Sequence, residues 1–208
     1  MRPPLPRLHA ITDERIARRP DLDAVARELA DGGGTDLAFH ARGRQLTGLE
    51  HYELAVRLRS PLGTAHPPVR LFVNDRLDIA LALNAAGVQL GHAGLPPSAA
   101  RQLNPRWWIG KSVHDLPGAE AARAEGADYL VVGPVYATAT HPDRAPLGLE
   151  RLREIARLGL PVIAIGGVTP ASAGEVKAAG AYGVAAIRAL WDAAEPGAAA
   201  RRMLEELR

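Results

Sequence analysis

The stretch Ala178-Ala-Gly-Ala-Tyr-Gly-Val-Ala-Ala-Ile187 decides the fold, because a glycine in it joins the end of a helix to a short apolar run. Glycine after a helix supplies the left-handed residue that closes the helix carboxyl end. A short apolar run without polar alternation is typical of a strand buried on both faces. The stretch therefore predicts a helix, a tight turn and a buried parallel strand.

The same unit recurs three more times along the chain. The other copies are Leu29-Ala-Asp-Gly-Gly-Gly-Thr-Asp-Leu-Ala-Phe39, Leu83-Asn-Ala-Ala-Gly-Val-Gln-Leu90 and Ala124-Glu-Gly-Ala-Asp-Tyr-Leu-Val-Val132. Filling the gaps predicts eight strands, each followed by a helix: Leu8–Thr12, Leu37–Ala41, Arg70–Val73, Val88–Leu90, Trp108–Lys111, Tyr129–Val132, Val162–Ile165 and Gly183–Ile187. Eight such units predict an α/β protein, a single-domain (β/α)8 TIM barrel over residues 1–208, with an open doubly wound sheet as the alternative.

Composition excludes several classes of protein. The 25 basic residues face 23 acidic ones and are interspersed with them, which favours local sites for small anions over a nucleic-acid surface. The absence of cysteine excludes disulfides, thiolate metal sites and a cysteine nucleophile, and fits a reducing compartment. No apolar run is long enough to span a membrane, and the first residues lack the apolar core of a signal peptide. We therefore expect a cytoplasmic protein with a small-molecule phosphate substrate and no nucleic-acid or membrane partner; homo-oligomerisation stays open.

Polar residues follow the predicted strands at their carboxyl ends, which is where (β/α)8 barrels carry their active sites. These residues are Thr12, Asp13, His40, Arg42, Arg44, Asn74, Asp75, His92, Ser112, His114, Thr138, Thr140, His141 and Arg188. Histidine is suited to proton transfer near neutral pH, so His40, His92 and His141 are the candidate catalytic residues. Asp75 is either a ligand-binding carboxylate or the cap of the helix that follows it.

Two features point to phosphate. Gly166 and Gly167 follow the seventh strand, where backbone N–H groups can approach an anion, although a plain tight turn would look the same. Ile187 and Arg188 follow the eighth strand, and barrels often bind phosphate at strands seven and eight. The alternate positions of Arg42 and Arg44 also favour an anion site, with a solvated arginine pair as the alternative.

Together these motifs resemble the thiamine phosphate synthase/TenI family of (β/α)8 barrels along nearly the whole chain. The resemblance rests on Leu8-His-Ala-Ile-Thr-Asp13, His40-Ala-Arg-Gly-Arg44, Val73-Asn-Asp-Arg-Leu-Asp-Ile-Ala-Leu81, Gly87-Val-Gln-Leu-Gly91, Ile109-Gly-Lys-Ser-Val-His114, Gly126-Ala-Asp-Tyr129, Gly133-Pro-Val-Tyr-Ala-Thr-Ala-Thr140, Pro146-Leu-Gly-Leu-Glu150 and Ile165-Gly-Gly-Val-Thr-Pro170. It implies thiamine biosynthesis with a thiazole phosphate carboxylate, and for synthases also a pyrimidine diphosphate.

The strand-end positions and the resemblance together give the candidate binding residues. They are Arg42, Arg44, Asn74, Ser112, Thr138, Thr140, Gly166, Gly167, Ile187 and Arg188 for substrate and phosphate, with Asp75 as a magnesium ligand only if Mg²⁺ is bound. The chain departs from the synthase pattern at four positions. They are His40, where glutamine is usual, Gly94, where a second carboxylate is usual, His141, where lysine is usual, and Arg188, where serine is usual. Since one carboxylate is a poor start for Mg²⁺, no cofactor is certain, and Mg²⁺ is expected only with synthase activity.

Three functions remain open on this resemblance. The opening motif and the His-x-Arg-x-Arg segment favour the TenI branch and a thiazole tautomerase, although Pro134 stands where some tautomerases carry a histidine. The first alternative is a thiamine phosphate synthase, which joins the pyrimidine diphosphate to the thiazole phosphate. The second alternative is a non-catalytic barrel that binds thiazole or thiamine phosphate.

Overall fold

The computed structural model describes residues 2–59, 69–138 and 145–208. Within these residues eight parallel strands close into a barrel in chain order, and the last strand pairs with the first. The strands are β1 Leu8–Ile11, β2 Leu37–Ala41, β3 Arg70–Asn74, β4 Gly87–Leu90, β5 Trp108–Val113, β6 Tyr129–Val132, β7 Val162–Ile165 and β8 Gly183–Ala186. Closure confirms the single-domain (β/α)8 barrel and rules out the open sheet.

Helices cover the outside of this barrel. Those in the described ranges are α1 Glu14–Ala17, α2 Leu22–Gly33, α3 Gly48–Arg59, α4 Leu77–Ala82, α5 Pro97–Leu103, α6 Leu116–Ala124, α7 Gly148–Ala156, α8 Ala173–Ala178, α9 Arg188–Trp191 and α10 Pro196–Glu206. None of them is both long and apolar enough to cross a bilayer. Every predicted strand is present, with ends that differ by no more than two residues from the prediction.

The strands separate two apolar regions because successive side chains point to opposite faces. One region lies between the strands and the helices and holds most of the buried aliphatic residues. The other fills the inside of the barrel with Leu5, Ile11, Ala38, Phe72, Tyr129, Val131, Ile163 and Ala185. Gly110 makes room for this filling, since a Cβ there would lie 2.2 Å from the Tyr129 ring and from Gln89 Oε1.

The amino-terminal end of the barrel is closed by a cluster around Asp128. Arg2 lies 4.3 Å over the Trp108 ring and donates two hydrogen bonds to the Asp128 carboxylate, which also accepts from Arg101. The Ile109 N–H donates to the same carboxylate at 2.8 Å. Polar contacts at this end stabilise the barrel, and the carboxyl ends of the strands stay open for a ligand.

Candidate active site

A cavity of about 990 Å³ opens at the carboxyl ends of the strands. Most of the predicted site residues line it: Arg42, Arg44, Asn74, Asp75, His92, Ser112, Thr138, Gly166, Gly167, Ile187 and Arg188. Thr140 and His141 lie outside the described residues. His40 does not line the cavity and is buried behind it.

The loop after β2 carries the positive charge of the cavity. The Thr12 hydroxyl accepts from the Arg42 N–H at 2.9 Å, and the Glu14 carboxylate accepts from the backbone N–H groups of Arg44 and Gln45. Burial, followed by the neighbouring charge of Arg44, lowers the pKa of Arg42. The carboxylates of Glu14, Asp13 and Asp75 act on the pKa of Arg42 in the opposite direction and offset this in part. Neither guanidinium forms an ion pair with a carboxylate in the described part of the chain. Two cations at one edge of a cavity, without an ion-pair partner among the described residues, are suited to a phosphate or diphosphate.

Asp75 faces the cavity in a left-handed backbone conformation, with φ at 59°. Its Oδ1 accepts from the Gly91 N–H at 2.7 Å, which joins the ends of β3 and β4. It does not cap α4: Arg76 occupies the cap position and makes no side-chain cap hydrogen bond. The structure therefore excludes Asp75 as the cap of this helix. The other interpretation, a ligand-binding carboxylate, stays a prediction.

The surroundings of Asp75 determine how a magnesium ion would be held. Gly94 lies directly beside the carboxylate, at the place where the resemblance implies a second acidic residue. The described residues contain no cluster of three or more acidic, histidine or cysteine side chains that could hold a metal. Mg²⁺ commonly uses one or two carboxylates together with waters and substrate phosphates. Asp75 fits an ion held mainly by a bound diphosphate and does not fit one caged by the protein.

A second polar sector lies at β7 and β8. Gly166 and Gly167 have φ angles of 95° and 69°, a region that glycine adopts without strain. A Cβ on Gly167 would lie 2.7 Å from Ala137 O, so this turn also needs glycine for its close approach to the loop after β6. The backbone N–H groups of Gly166, Gly167 and Ile187 have no acceptor among residues 2–59, 69–138 and 145–208. Free N–H groups beside Arg188 form a second place for an anion.

Two histidines on the cavity wall lie side by side. The rings of His92 and His114 are 5.3 Å apart between centroids. His114 Nδ1 donates to the Gly133 carbonyl oxygen, because a carbonyl can only accept. In its neutral form His114 therefore carries its lone pair on Nε2. Sequence reasoning placed both residues near the strand ends but chose only His92 as a candidate acid or base.

Two polar residues on the strands, Gln89 and Lys111, were not predicted from the sequence, and Gln89 lies at the floor of the cavity. Gln89 is almost fully buried, and its amide donates to the Ser112 hydroxyl at 2.9 Å. Lys111 points to the other side of β5, where its ammonium donates to the carbonyl oxygens of Gly94 and Leu95. A glutamine and a lysine inside short apolar strands are the signals that could have identified both residues.

Comparisons with known proteins agree along almost the whole chain. Residues 8–190 match the family described as thiamine monophosphate synthase. A thiamine-phosphate synthase of Methanospirillum hungatei is 44% identical over 95% of this chain and 96% of its own length. One from Chloroflexus aurantiacus is 41% identical over 95% of this chain and 90% of its own. The solved structure of a Pyrococcus furiosus thiamine phosphate pyrophosphorylase superposes with a TM-score of 0.81 at 33% identity, over 97% of this chain and 95% of that one.

Proposed function

Since the chain belongs to the thiamine monophosphate synthase family, which makes it an enzyme of thiamine biosynthesis, we propose that it is a thiamine-phosphate synthase. It joins a pyrimidine diphosphate to a thiazole phosphate and releases diphosphate. The similar curated proteins carry the synthase name, so they favour this reaction over the tautomerase that the sequence motifs favour. They give no particular support to the TenI branch.

The observation that supports the synthase is the presence of two anion-binding sectors in one cavity. Arg42 and Arg44 form the first, at β2, and the turn at Gly166 and Gly167 with Arg188 forms the second, at β7 and β8. A reaction that joins two phosphorylated substrates needs two places for phosphate groups, whereas a tautomerase acts on a substrate with a single phosphate. We assign the diphosphate to the first sector and the thiazole phosphate to the second.

The reaction breaks a carbon–oxygen bond and forms a carbon–nitrogen bond. The diphosphate leaves with the electron pair of the broken bond, and the lone pair of the thiazole nitrogen captures the carbocation that remains on the pyrimidine. Arg42 and Arg44 stabilise the charge that develops on the leaving oxygens, and Asn74, Ser112 and Gln89 orient the ring above the floor. Asp75 would hold Mg²⁺ together with the diphosphate, and the ion would supply further charge neutralisation.

The test is to supply both substrates to the protein and detect thiamine phosphate by mass spectrometry, with Mg²⁺ and with a chelator. We expect product that depends on Mg²⁺, and its loss in a double variant Arg42→Gln/Arg44→Gln. Arg201→Gln on α10 is the matched control, because this arginine lies on the outer surface, away from the cavity. Binding of both substrates without any product would contradict the synthase and favour a non-catalytic binding barrel.

A thiazole tautomerase is the second candidate, and the neighbouring His92 and His114 are the observation that favours it. Moving a proton on a thiazole ring needs one group that alternates between base and acid, and a histidine on the cavity wall is suited to this role. NMR of the thiazole phosphate carboxylate in the absence of pyrimidine diphosphate tests it. Isomerisation that His114→Asn abolishes would support the tautomerase, and no isomerisation would exclude it.

A further inference from the structure

A line of hydrogen bonds runs through the inside of the barrel, from its amino-terminal end to the cavity. His9 Nε2 lies 3.0 Å from the Pro6 carbonyl oxygen, and His9 Nδ1 lies 2.7 Å from His40 Nε2. His40 Nδ1 lies 3.2 Å from the side-chain amide of Asn74, which lines the cavity. We call Pro6, His9, His40 and Asn74 the histidine chain. Both imidazoles are completely buried, and the His40 ring stacks on Phe72 at 5.0 Å.

The carbonyl of Pro6 sets the direction of these hydrogen bonds. It can only accept, so the proton of His9 is on Nε2. Burial lowers the pKa of His9 to about 4, so its ring is neutral near pH 7 and Nδ1 carries a lone pair. His40 must therefore donate to that lone pair from Nε2. Burial also lowers the pKa of His40, which leaves its ring neutral with a lone pair on Nδ1.

The opposite direction carries a physical penalty. It would place the lone pair of His9 Nε2 against the Pro6 carbonyl oxygen, so two acceptors would face each other 3.0 Å apart in a buried site. Protonating one ring would relieve that contact. It would also create a buried cation, and neither imidazole contacts a carboxylate among the described residues. An unpaired buried charge is far more costly than the neutral arrangement.

A lone pair on His40 Nδ1 determines the orientation of Asn74. Amide oxygen and nitrogen are assigned from the hydrogen bonds that they make. In the structure Oδ1 is the atom that faces His40, and the direction of the chain requires the amide turned by 180°, with its NH₂ group donating to His40. The carbonyl oxygen of Asn74 then faces the cavity. No other hydrogen bond to this side chain is formed within the described ranges.

We propose that His9 and His40 are positioning residues that hold the Asn74 carbonyl oxygen toward the cavity, as an acceptor for an N–H group of a bound heterocycle. A ligand with a ring or exocyclic N–H at this place gains a hydrogen bond, and one with a bare acceptor there is repelled. The choice of pyrimidine diphosphate as the test ligand rests on the proposed function. The protonation states of the two histidines do not depend on it.

The direct test is ¹⁵N-detected histidine NMR of the unliganded protein at pH 7. We expect both His9 and His40 as neutral rings protonated at Nε2. A His40 ring protonated at Nδ1, or charged, would overturn the proposal. The variant Asn74→Asp provides a second test of the direction of hydrogen bonding. An ionised carboxylate can only accept, so we expect His40 to become protonated at Nδ1 in this variant. An unchanged His40 spectrum in this variant would contradict the assigned direction.

A pair of His9 variants separates positioning from simple packing. His9→Asn keeps an acceptor near the position of Nδ1, whereas His9→Leu keeps the volume approximately and removes the acceptor. We expect His9→Leu to raise KM for pyrimidine diphosphate about tenfold with kcat changed by less than about threefold, and His9→Asn to stay close to the native values. Equal KM values in the native protein and both variants would refute positioning. If no thiamine phosphate forms at all, the proposed function fails, while calorimetric binding and the NMR spectra still test the histidine chain.

Discussion

Gly94 lies against the carboxylate of Asp75, so closely that a Cβ on Gly94 would be 2.8 Å from Asp75 Oδ1. Gly94 lies in the loop after β4, and Asp75 lies in the loop after β3. The N–H of Gly91, which also follows β4, donates to the same Asp75 carboxylate. A side chain at position 94 would therefore share any ion that Asp75 binds. With glycine there, Asp75 is the sole carboxylate that the described chain offers at this point, and metal and diphosphate should bind together.

The first prediction concerns Gly94→Asp. A second carboxylate beside Asp75 raises the negative charge available to a cation, and ligand charge is a main determinant of affinity for hard cations. We expect native protein to bind Mg²⁺ weakly without diphosphate, and Gly94→Asp to bind it about tenfold more tightly by calorimetry. Gly94→Asn is the matched control, because it adds the same volume without charge. Equal Mg²⁺ affinity in the two variants would contradict a shared ion.

The second prediction concerns Asp75 itself. Asp75→Asn keeps an oxygen that can accept from the Gly91 N–H, and asparagine tolerates the left-handed backbone at this position. We therefore expect Tm within about 2 °C of native, and kcat/KM for thiamine phosphate formation lower by about 100-fold, because transition-state charge is less stabilised. Asp75→Ala should lower Tm as well, since alanine loses the acceptor and is strained at this φ. Undiminished turnover in Asp75→Asn would remove this carboxylate from the reaction.

The third prediction concerns the anion site at β7 and β8. Arg188 lines the cavity beside the free N–H groups of Gly166 and Gly167, so its guanidinium should contact the thiazole phosphate. Charge-assisted hydrogen bonds contribute about 1.5–3 kcal/mol. We expect Arg188→Gln to raise KM for the thiazole phosphate by about 10- to 100-fold and to leave KM for the pyrimidine diphosphate nearly unchanged. A larger effect on the pyrimidine diphosphate would reverse the assignment of the two substrates.

Much of the fold could be predicted because glycine and short apolar runs are local signals. The turn at Gly180, with φ at 96°, is the left-handed closure that the sequence indicates, and β8 follows it as expected. The helix α5 follows β4 as the alternation of strands and helices predicts. The helices α1 and α9 were not predicted separately, since four residues are too few to show a helical period. Strand ends also identified most of the cavity lining.

The position of a residue within the barrel could not be predicted in the same way. His40 and Arg42 lie on the same face of the chain, as their spacing predicts. His40 nevertheless lies deeper in the barrel than Arg42, because strand tilt and neighbouring side chains determine how far the cavity extends. His9 and Phe72 enclose His40, and no single stretch of sequence carries that contact. Whether His40, His92 or His141 transfers a proton remains a prediction.

The fourth prediction concerns pH and stability. Burial lowers the pKa of His9 from 6.5 to about 4 and lowers that of His40 as well, so the unfolded chain takes up protons in a range where the folded protein does not. When the unfolded state binds more protons, stability rises with pH. The stability that the two neutral histidines contribute is therefore fully present above about pH 6.5 and decreases as pH falls toward 4. A difference of one bound proton at His9 gives a slope of about 1.4 kcal/mol per pH unit between these limits, and His40 adds to it in the same direction.

Urea unfolding between pH 7.5 and 5 measures this slope, because carboxylates with ordinary pKa values near 3.9 and 4.3 stay mostly ionised over that range. His51 also has a pKa lowered by burial, but it lies outside the barrel on α3, so His51→Asn corrects for its share. His9→Leu should remove about one proton from the difference between the folded and unfolded states and flatten the profile accordingly. A native profile that is flat from pH 7 to pH 5 would mean that these imidazoles take up protons while folded. The neutral rings on which the orientation of Asn74 depends would then be excluded.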